Sequence, residues 1–374
     1  MPFFEIIHQS TQSHARVGRI HTAHGIIETP GFVPVCTNGA LKAVESSYLD
    51  SLGVDLIFCN TYHLLVHPGA DIVGAAGGIH TFMNRKKPVI TDSGGFQVFS
   101  LAYGGVTSEL KSSGTKKNDG AVIKISEEGV LFRSYRDGSL LLLTPESSVQ
   151  AQKSIGADII IPLDELPPYH IDKQALKKSF ERTHRWEARS LQEHLKNPQH
   201  QHMYSVIHGG LDQELRKKSI EILDQLPFDG HAIGGSLGKN RHEMREMLFQ
   251  LMPHMRHNKP IHLLGIGDLE SLEDCLKLGI DTFDSSYPTK CARHGMLFTS
   301  QGTIKIKQSQ FKSHYAPLDP ACSCITCTHY TASYVHHLFK SHEITAYTLA
   351  TIHNIAYMVN LMGIYRNKIL NNEY

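Results

Sequence analysis

Short apolar runs recur along the chain, and most end in a glycine or a polar residue before a segment with helical periodicity begins. Strands that are apolar along almost their whole length are typical of parallel sheets, because other elements cover both faces of such a sheet. The pattern therefore predicts a parallel sheet buried on both faces. The eight runs are Gly31–Thr37, Leu56–Asn60, Pro88–Asp92, Asp158–Asp164, Tyr204–Gly210, His231–Ser236, Ile261–Gly267 and Asp281–Ser286.

Helical segments separate many of these runs. One has a clear start signal, because Thr144 is a favourable N-cap and Pro145 suits the first helical position. Eight strand–helix units in a chain of 374 residues favour an α/β fold of the (β/α)8 (TIM) barrel type. A doubly wound open sheet is the alternative. The predicted helices are Pro145–Ile155, Lys173–Leu195, Gln213–Leu226, His242–Met255 and Leu269–Leu278.

Two segments of the predicted barrel core depart from this alternation. The chain up to about Thr29 has a turn signal at His24-Gly25, which predicts a small hairpin closing the bottom of the fold. About 65 residues separate the third run from the fourth. They include Lys111–Lys117, rich in Lys, Ser and Gly and expected to form a mobile loop, and two alternating segments, 121–125 and 130–135, which predict a hairpin.

The C-terminal region, from about Gly295, has a different character. It carries a cysteine cluster and two helical patterns, Tyr330–Phe339 and Ala346–Gly363. We expect a barrel core over residues 1–294 and a zinc subdomain over residues 295–374, whose last helices complete the barrel.

Polar residues and glycines stand at the carboxyl ends of the predicted strands. In a parallel barrel all of these ends meet on one face, where this fold places its active sites. Three of the residues are carboxylates, which are costly to bring together unless they are used or paired. The pattern predicts a catalytic cleft at this face. The residues concerned are Asn60, Asp92, Asp164, His208, Gly235, Gly265 and Asp284.

The segment Asp92–Gln97 (DSGGFQ) predicts a site for a flat, polar ligand such as a nucleobase. Its two glycines allow a ligand to approach the backbone closely, and their N–H groups are free to donate hydrogen bonds. Phe96 is able to stack on a planar ring. A carboxylate such as Asp164 accepts hydrogen bonds from the ring N–H and the exocyclic amine of guanine.

Three cysteines, Cys322, Cys324 and Cys327, form a C-x-C-x2-C cluster. Thiolates at such spacing are typical zinc ligands, and a fourth ligand must come from elsewhere. Three thiolates and one histidine leave no open coordination position, so this zinc is expected to be structural. The spacing leaves the fourth ligand open, although His329 is too near for comfortable tetrahedral closure. The candidates are His329, His336, His337, His342 and His353.

Composition and charge exclude several classes of protein. The formal net charge is +1, so no global basic field indicates nucleic-acid binding. No signal peptide and no apolar run near the ~18 residues of a membrane span is found. Seven cysteines, an odd number, do not suggest a disulfide framework. We expect a cytoplasmic protein with reduced thiols and no membrane partner.

Charge is nevertheless uneven along the chain. The segment Ser285–Leu318 contains no acidic residue, and its basic residues form a candidate stripe for binding a nucleic-acid backbone. The basic residues of this stripe are Lys290, Arg293, Lys305, Lys307 and Lys312.

An ordered series of motifs, running from ETPGFVPV to TIHN, resembles the bacterial tRNA-guanine transglycosylases nearly end to end. The motifs between these two are TDSGGFQVFS, LDE, FDGHAIGG, LLGIG, GIDTFD, PTKCARHG and PLDPACSCITC. The resemblance implies a (β/α)8 barrel with a zinc subdomain, in a homodimer built partly by that subdomain. It also implies a pentosyltransferase that exchanges guanine at the wobble position of tRNA for a free 7-deazaguanine base.

The resemblance further implies roles for particular residues. Asp284 is expected to attack the anomeric carbon of the ribose, giving a covalent enzyme–RNA ester, and Asp92 to serve the departing and entering bases as general acid and base. The entering base then completes a double displacement with retained configuration. His353 is implied as the fourth zinc ligand. The residues expected to contact the base are Ser93, Gly94, Gly95, Phe96, Asp164, His208 and Gly235. Those expected to contact tRNA are Gly265, Ile266, Gly267, Asp268, Leu269, Glu270, Ser271, Thr289, Lys290, Cys291, Ala292 and Arg293.

The chain departs from the family pattern around the base pocket. The family usually has glutamine in place of His208 and cysteine in place of Leu166. A family loop glutamate that supports recognition of an aminomethyl substituent has no counterpart in Gly234–Asn240, where Lys239 stands instead. A cation there disfavours an aminomethyl ammonium. These departures favour queuine as the entering base over 7-aminomethyl-7-deazaguanine.

Two other kinds of protein fit part of the pattern. A non-catalytic tRNA-binding paralogue would lack the nucleophile or the general base, whereas both Asp92 and Asp284 are present. A barrel metallohydrolase would need a zinc ion with an open position near the strand ends, which the cysteine cluster does not offer. We therefore expect a catalytically active transglycosylase.

Overall fold

Eight parallel strands form a closed barrel in the computed structural model, which describes residues 2–97 and 122–374. Each strand pairs in parallel with its neighbours in chain order. The ring is completed where Val35 forms a parallel bridge with Phe58. This closure confirms the predicted barrel and excludes the open doubly wound sheet. The barrel strands are Gly31–Pro34, Ile57–Cys59, Val89–Thr91, Ile159–Ile160, His202–Ile207, Gly230–Ile233, Ile261–Leu263 and Thr282–Ser285.

An antiparallel sheet of three strands packs on the barrel at the amino ends of its strands. Ile20 and Ile27 of this sheet belong to the same buried cluster as Leu56 and Ile159, which lie at or next to the starts of barrel strands. The predicted hairpin with its turn at His24-Gly25 is confirmed, and an additional first strand extends it. The three strands are Phe4–Gln9, Arg16–Thr22 and Gly25–Thr29.

The five helices predicted from periodicity are confirmed to within a few residues. Thr144 accepts a hydrogen bond from the backbone N–H of Ser147 at 3.1 Å, as its predicted capping role requires. The helix predicted to reach Met255 instead ends at Leu251, because Pro253 lacks a backbone N–H and the chain tightens into a 3-10 turn. Within the described residues before the C-terminal region, the helices are Ser46–Ser51, Thr61–Val66, Ala70–Ala75, Gly78–Phe82, Pro145–Ile155, Lys173–Leu195, Gln213–Leu223, Arg241–Leu251, Leu269–Leu276 and Tyr287–His294.

The segment between the third and fourth barrel strands contains the predicted hairpin. Its described part is a three-stranded antiparallel sheet, Val122–Ile125, Val130–Arg133 and Leu140–Leu143. The inner face of this sheet is buried against Tyr62 and Trp186, which anchors the sheet beside the carboxyl face of the barrel. The predicted loop Lys111–Lys117 lies outside the described residues.

The C-terminal region is joined to the barrel by its last helix, Ile344–Leu370. The helix continues past Gly363, where the sequence predicted its end, because Tyr365 and Ile369 are buried at helical spacing. Asn354 donates to the carbonyl of Met296 at 3.0 Å, and Arg366 donates to that of Pro30 at 2.9 Å. The boundary predicted at residue 294 stays a prediction.

The remaining elements of this region are short. None of the described helices is both long and apolar enough to cross a membrane. The elements are the strands Met296–Thr299 and Gly302–Lys305, a 3-10 turn at Ser309–Phe311, and the helices Ile325–His329 and Ala332–Lys340.

Candidate active site

A cleft of about 690 Å³ opens at the carboxyl ends of the barrel strands. Most of the strand-end residues predicted from sequence line it, so the predicted convergence is observed. His208 is the exception, because it is buried behind Asp164. The predicted residues that line the cleft are Asn60, Asp92, Ser93, Phe96, Asp164, Gly235, Gly265, Ile266 and Asp284.

Asp284 is held on one side only. It lies one residue before the end of the eighth barrel strand and is 6% exposed. The backbone N–H of Gly265 donates to its Oδ1 at 2.9 Å, and His262 Nε2 lies 3.1 Å from the same oxygen. No described residue hydrogen-bonds its Oδ2. A carboxylate fixed through one oxygen, with the other unencumbered, is suited to nucleophilic attack.

His262 is a site residue that the sequence reasoning missed. It is fully buried in the seventh barrel strand, next to the strand of Asp284. Its Nδ1 lies 2.8 Å from Thr282 Oγ1, which fixes the ring so that Nε2 faces Asp284. The available signal was a lone histidine within the apolar run IHLLGIG.

Asp92 has a different environment. Asn60 and Gln97 donate to its Oδ2 at 2.7 and 3.0 Å, and the backbone N–H of Thr61 donates to Oδ1 at 2.8 Å. Burial raises the pKa of the Asp92 carboxyl to about 6, although the three donors oppose that shift. A carboxyl group that titrates near neutral pH is able both to give and to take a proton.

Asp164 packs against the turn that contains Ser93 and Gly95, and together they form one side of the cleft. Ser93 Oγ donates to its Oδ1 at 3.2 Å. Gly95 passes so close that a Cβ there would lie 2.6 Å from the carbonyl oxygen of Asp164, so this position requires glycine. Phe96, at the same turn, is 48% exposed and lines the cleft. The arrangement fits a planar ligand between an aromatic ring and a carboxylate.

His208 and Gly235 meet behind this side of the cleft. His208 Nε2 lies 3.0 Å from Asp164 Oδ2, which is ion-pair distance, although no described residue forms a well-aligned hydrogen bond with that nitrogen. Gly235 has a positive φ of +76°, and a Cβ there would lie 3.1 Å from His208 Nδ1. Gly235 therefore lines the cleft beside Asp164, whereas His208 contacts Asp164 from the buried side.

The loop after Gly235 carries an ion pair that the sequence reasoning missed. Lys239 Nζ lies 3.0 Å from Glu243 Oε1, and Tyr169, which lines the cleft, donates to Glu243 Oε2 at 2.9 Å. Lys239 lies just before the helix Arg241–Leu251 and Glu243 in its first turn, and two opposite charges so near in sequence were an available signal for a local ion pair. The lysine charge is thus locally neutralised.

The residues predicted to contact tRNA fall into two groups. Some are buried, so their side chains are not presented at the surface: Gly267, Ser271, Thr289, Cys291 and Ala292. Of the others, Asp268 caps the helix that begins at Leu269, Glu270 and Lys290 are exposed, and Arg293 is half-buried. The four lysines of the basic stripe are exposed, and no described carboxylate pairs with the stripe.

The cysteine cluster has the donor set and the spacing of a metal centre. One ligand atom each from Cys322, Cys324, Cys327 and His353 lies within 4.8 Å of all the others. His353 Nδ1 is 3.3 Å from Cys327 Sγ and 3.7 Å from Cys324 Sγ. Around a tetrahedral zinc, bond lengths give nitrogen–sulfur separations of roughly 3.5 Å. His353 Nε2 lies 2.7 Å from the carbonyl of Phe298, which fixes the tautomer that leaves Nδ1 free for a metal.

Comparison with known proteins agrees with this geometry. A family model described as queuine tRNA-ribosyltransferase matches residues 10–374. A queuine tRNA-ribosyltransferase of Protochlamydia amoebophila is 61% identical over 366 residues, covering 98% of this chain and 95% of the relative. Those of Chlamydia felis and Chlamydia trachomatis serovar D are each 55% identical over 371 residues, covering 99% of both chains. The chain belongs to the queuine tRNA-ribosyltransferase family, which confirms the resemblance and the predicted enzyme class, a glycosyltransferase that acts on tRNA.

Proposed function

We propose that the chain exchanges guanine at the wobble position of tRNA for a free 7-deazaguanine base, by double displacement through a covalent enzyme–RNA ester. The observation that carries this proposal is a pair of carboxylates in one cleft with different environments. Asp284 is fixed through one oxygen by His262 and Gly265, whereas burial raises the pKa of Asp92 to about 6. Two carboxyl groups in such different environments are suited to different roles, one as the nucleophile and the other as the general acid and base.

In the first half of the reaction, an oxygen of Asp284 attacks the anomeric carbon of the ribose. The bond from that carbon to guanine breaks as the ester bond forms, and protonated Asp92 gives its proton to the departing purine. Asp164 and the N–H of Gly235 hold the purine edge, while Phe96 stacks on its face. Before this step the base must leave the anticodon-loop stack, which costs less in a loop than in a duplex.

In the second half, ionised Asp92 takes the proton from the ring nitrogen of the entering base. That nitrogen attacks the anomeric carbon, the ester bond breaks, and Asp284 is regenerated as a carboxylate. Two inversions at one carbon retain its configuration. The alternative of a non-catalytic paralogue is disfavoured, because both carboxylates and their hydrogen-bond donors are in place.

The binding of tRNA is assigned to the basic stripe, whose four lysines are exposed. The stripe follows Asp284 in the sequence, and no described carboxylate pairs with its basic residues, so they are available for contacts with RNA phosphates. A homodimer formed partly through the C-terminal region belongs to the same proposal. It is supported by large apolar side chains exposed there, Tyr315 and Ile344 at 76% each. The cytoplasmic location stays a prediction.

Zinc is proposed as the metal of the four-ligand centre, held by Cys322, Cys324, Cys327 and His353. Bound there, it would supply structural cross-linking rather than chemistry, since the four protein ligands complete its tetrahedral shell.

Cys324→Ser should lower the zinc content of the purified chain from about one equivalent to about one tenth or less, because serine is a poor zinc ligand. Elemental analysis by mass spectrometry measures this, and thermal unfolding should shift to lower temperature. Cys275→Ser is a control, because Cys275 is also buried, at 0% exposed against 7% for Cys324, but lies outside the cluster. A Cys324→Ser chain that keeps a full equivalent of zinc contradicts the assignment.

Queuine is proposed as the entering base. The loop residues that line the cleft from Gly234 to Gly238 carry no charge, so no carboxylate among them meets an aminomethyl ammonium. Lys239 adds less repulsion than its position in the sequence suggested, because Glu243 neutralises it. The absence of a loop carboxylate among these residues therefore supports queuine more strongly than the presence of Lys239 does.

With guanine-wobble tRNA as substrate, kcat/KM for queuine should exceed that for 7-aminomethyl-7-deazaguanine by about tenfold or more, the equivalent of about one lost charge contact. The two bases are compared in the same radiolabelled guanine-release assay. Lys239→Glu should lower the ratio of the two kcat/KM values, because it restores an acid near the pocket. Efficient use of the aminomethyl base with no use of queuine would exclude this choice of base but not the exchange reaction itself.

A further inference from the structure

Arg216 is a fully buried arginine behind the proposed base pocket, and it lies outside the motifs of the family resemblance. Its guanidinium donates to three backbone carbonyls: Gly210 at 2.9 Å, Ile207 at 2.6 Å and Ser236 at 3.1 Å. No described carboxylate pairs with it. A buried cation without a counter-charge is costly, so its presence requires a reason beyond packing.

The three carbonyls belong to the two segments that present the base-contacting residues. Ile207 directly precedes His208, and Ser236 directly follows Gly235. Both segments are rich in glycine: Gly210 and Gly235 have φ values of +60° and +76°. Such backbone has little stiffness of its own, so its position depends on the groups that bond to it.

A second side chain of the same helix, Gln213–Leu223, holds the first of these segments. Ser219 Oγ accepts the backbone N–H of His208 at 3.1 Å and lies 2.8 Å from His184 Nε2. The helix therefore fixes His208 through Ser219, and its Arg216 also bonds to the second segment. The two segments are joined directly as well, where the backbone N–H of Gly234 donates to the carbonyl of Ile207 at 3.3 Å, and Arg216 extends this link beyond the paired strands to Gly210 and Ser236. A Cβ at Gly235 would lie 3.6 Å from Arg216 Nη2, which places the guanidinium directly behind that residue.

We propose that Arg216 is a positioning residue for base recognition, which sets the separation between His208 and the N–H of Gly235. Its charge also adds positive potential behind that N–H, where a carbonyl oxygen of the purine would accept. The inference rests on the proposed function, since it assigns Arg216 to the pocket that the exchange reaction uses. Recognition groups displaced by about 1 Å weaken a reaction by about 100-fold, so such a cross-link has a measurable effect.

Arg85 offers a control of the same residue type, although it differs from Arg216 in having a carboxylate partner, since its Nη1 lies 2.6 Å from Asp50 Oδ1. It is 2% exposed and also donates to backbone carbonyls, among them those of Val54 and Asp55 at 2.9 and 3.1 Å. These groups lie at the amino ends of the barrel strands, away from the cleft. Replacing either arginine removes a buried cross-link of the barrel, but only one of the two cross-links touches the proposed pocket.

The test compares Arg216→Lys and Arg85→Lys in the full chain. Lysine keeps the charge and one donor but loses the planar fork that reaches three carbonyls. We expect both variants to lose stability in urea, and only Arg216→Lys to raise the KM for the entering base, by about 10- to 100-fold. Binding of tRNA, measured by filter retention, should change by less than about twofold, since phosphate contacts dominate it. Arg216→Met should raise the KM for the entering base further than Arg216→Lys does. If the methionine variant does not fold, the comparison of Arg216→Lys with Arg85→Lys is enough to test the inference.

The inference would be overturned if the KM for the entering base were unchanged in Arg216→Lys, or if that KM rose equally in Arg85→Lys. Arg216 would then have a role in folding only. A wild-type chain that binds tRNA but releases no guanine would instead overturn the proposed function. The two failures are distinguishable, because the first leaves wild-type exchange intact.

Discussion

Replacing Asp284 by asparagine should abolish the covalent tRNA adduct and lower base exchange by about 10,000-fold or more, the scale on which loss of a nucleophile acts. Asparagine keeps the shape of the side chain and its contact with the N–H of Gly265, so the fold and the cleft should persist. What it lacks is an oxygen able to form an ester with the anomeric carbon. The adduct is measured by denaturing gel electrophoresis after incubation with tRNA.

Asp172→Asn is a matched control for this substitution. Asp172 is an exposed N-cap of the helix Lys173–Leu195, outside the cleft, so its variant should form the adduct as the wild type does. Zinc content and thermal unfolding of Asp284→Asn should match the wild type. An Asp284→Asn chain that still traps RNA would show that another residue is the nucleophile.

Asp92→Asn should lower exchange by about 100- to 10,000-fold, the usual range for loss of a general acid–base. The reason is that an amide neither gives a proton to the departing guanine nor takes one from the entering base. The positions of Asn60 and Gln97, which donate to Asp92, make this carboxyl group the centre of a buried polar network.

The pH dependence gives Asp92 a specific signature. Adduct formation needs its protonated form, and burial raises the pKa of this carboxyl to about 6. The rate of adduct formation should therefore fall as pH rises through about 6, whereas discharge of the adduct by the entering base should rise over the same range. Single-turnover rates of the two halves, measured separately, test the opposed slopes. If Asp92→Asn kept both slopes, the titrating group would be another residue.

Much of the architecture followed from the sequence because a buried parallel strand needs an apolar run wherever it lies. The fourth strand shows where the pattern stops. The run Asp158–Asp164 predicts a strand of seven residues, yet only Ile159–Ile160 pair in the sheet. Beyond them, the backbone of Ile161 bonds to the side chain of Gln152 at 3.0 and 2.8 Å rather than to a neighbouring strand. Apolar character predicts burial, but it does not identify the partner of a backbone group.

The same limit explains the missed site residues. His262 contacts Asp284 across 22 positions of sequence, and Arg216 reaches Ser236 across 20. Neither has a local pattern that names its partner. The three cysteines were found because metal ligands on one short loop have a characteristic spacing, whereas His353 came only from the family resemblance. Glu243 stands between these cases, since its pairing with Lys239 follows a local spacing.

The helix Ile344–Leu370 has a consequence for the order in which the protein is made. It carries the metal ligand His353, and its Arg366 bonds to Pro30, next to the first barrel strand. During synthesis the amino-terminal strands leave the ribosome long before this helix does. The surface of the barrel near Pro30 therefore stays partly exposed until nearly the whole chain has been synthesised. Contacts so distant in sequence slow folding, and the exposed apolar surface makes the nascent chain a candidate for chaperone binding.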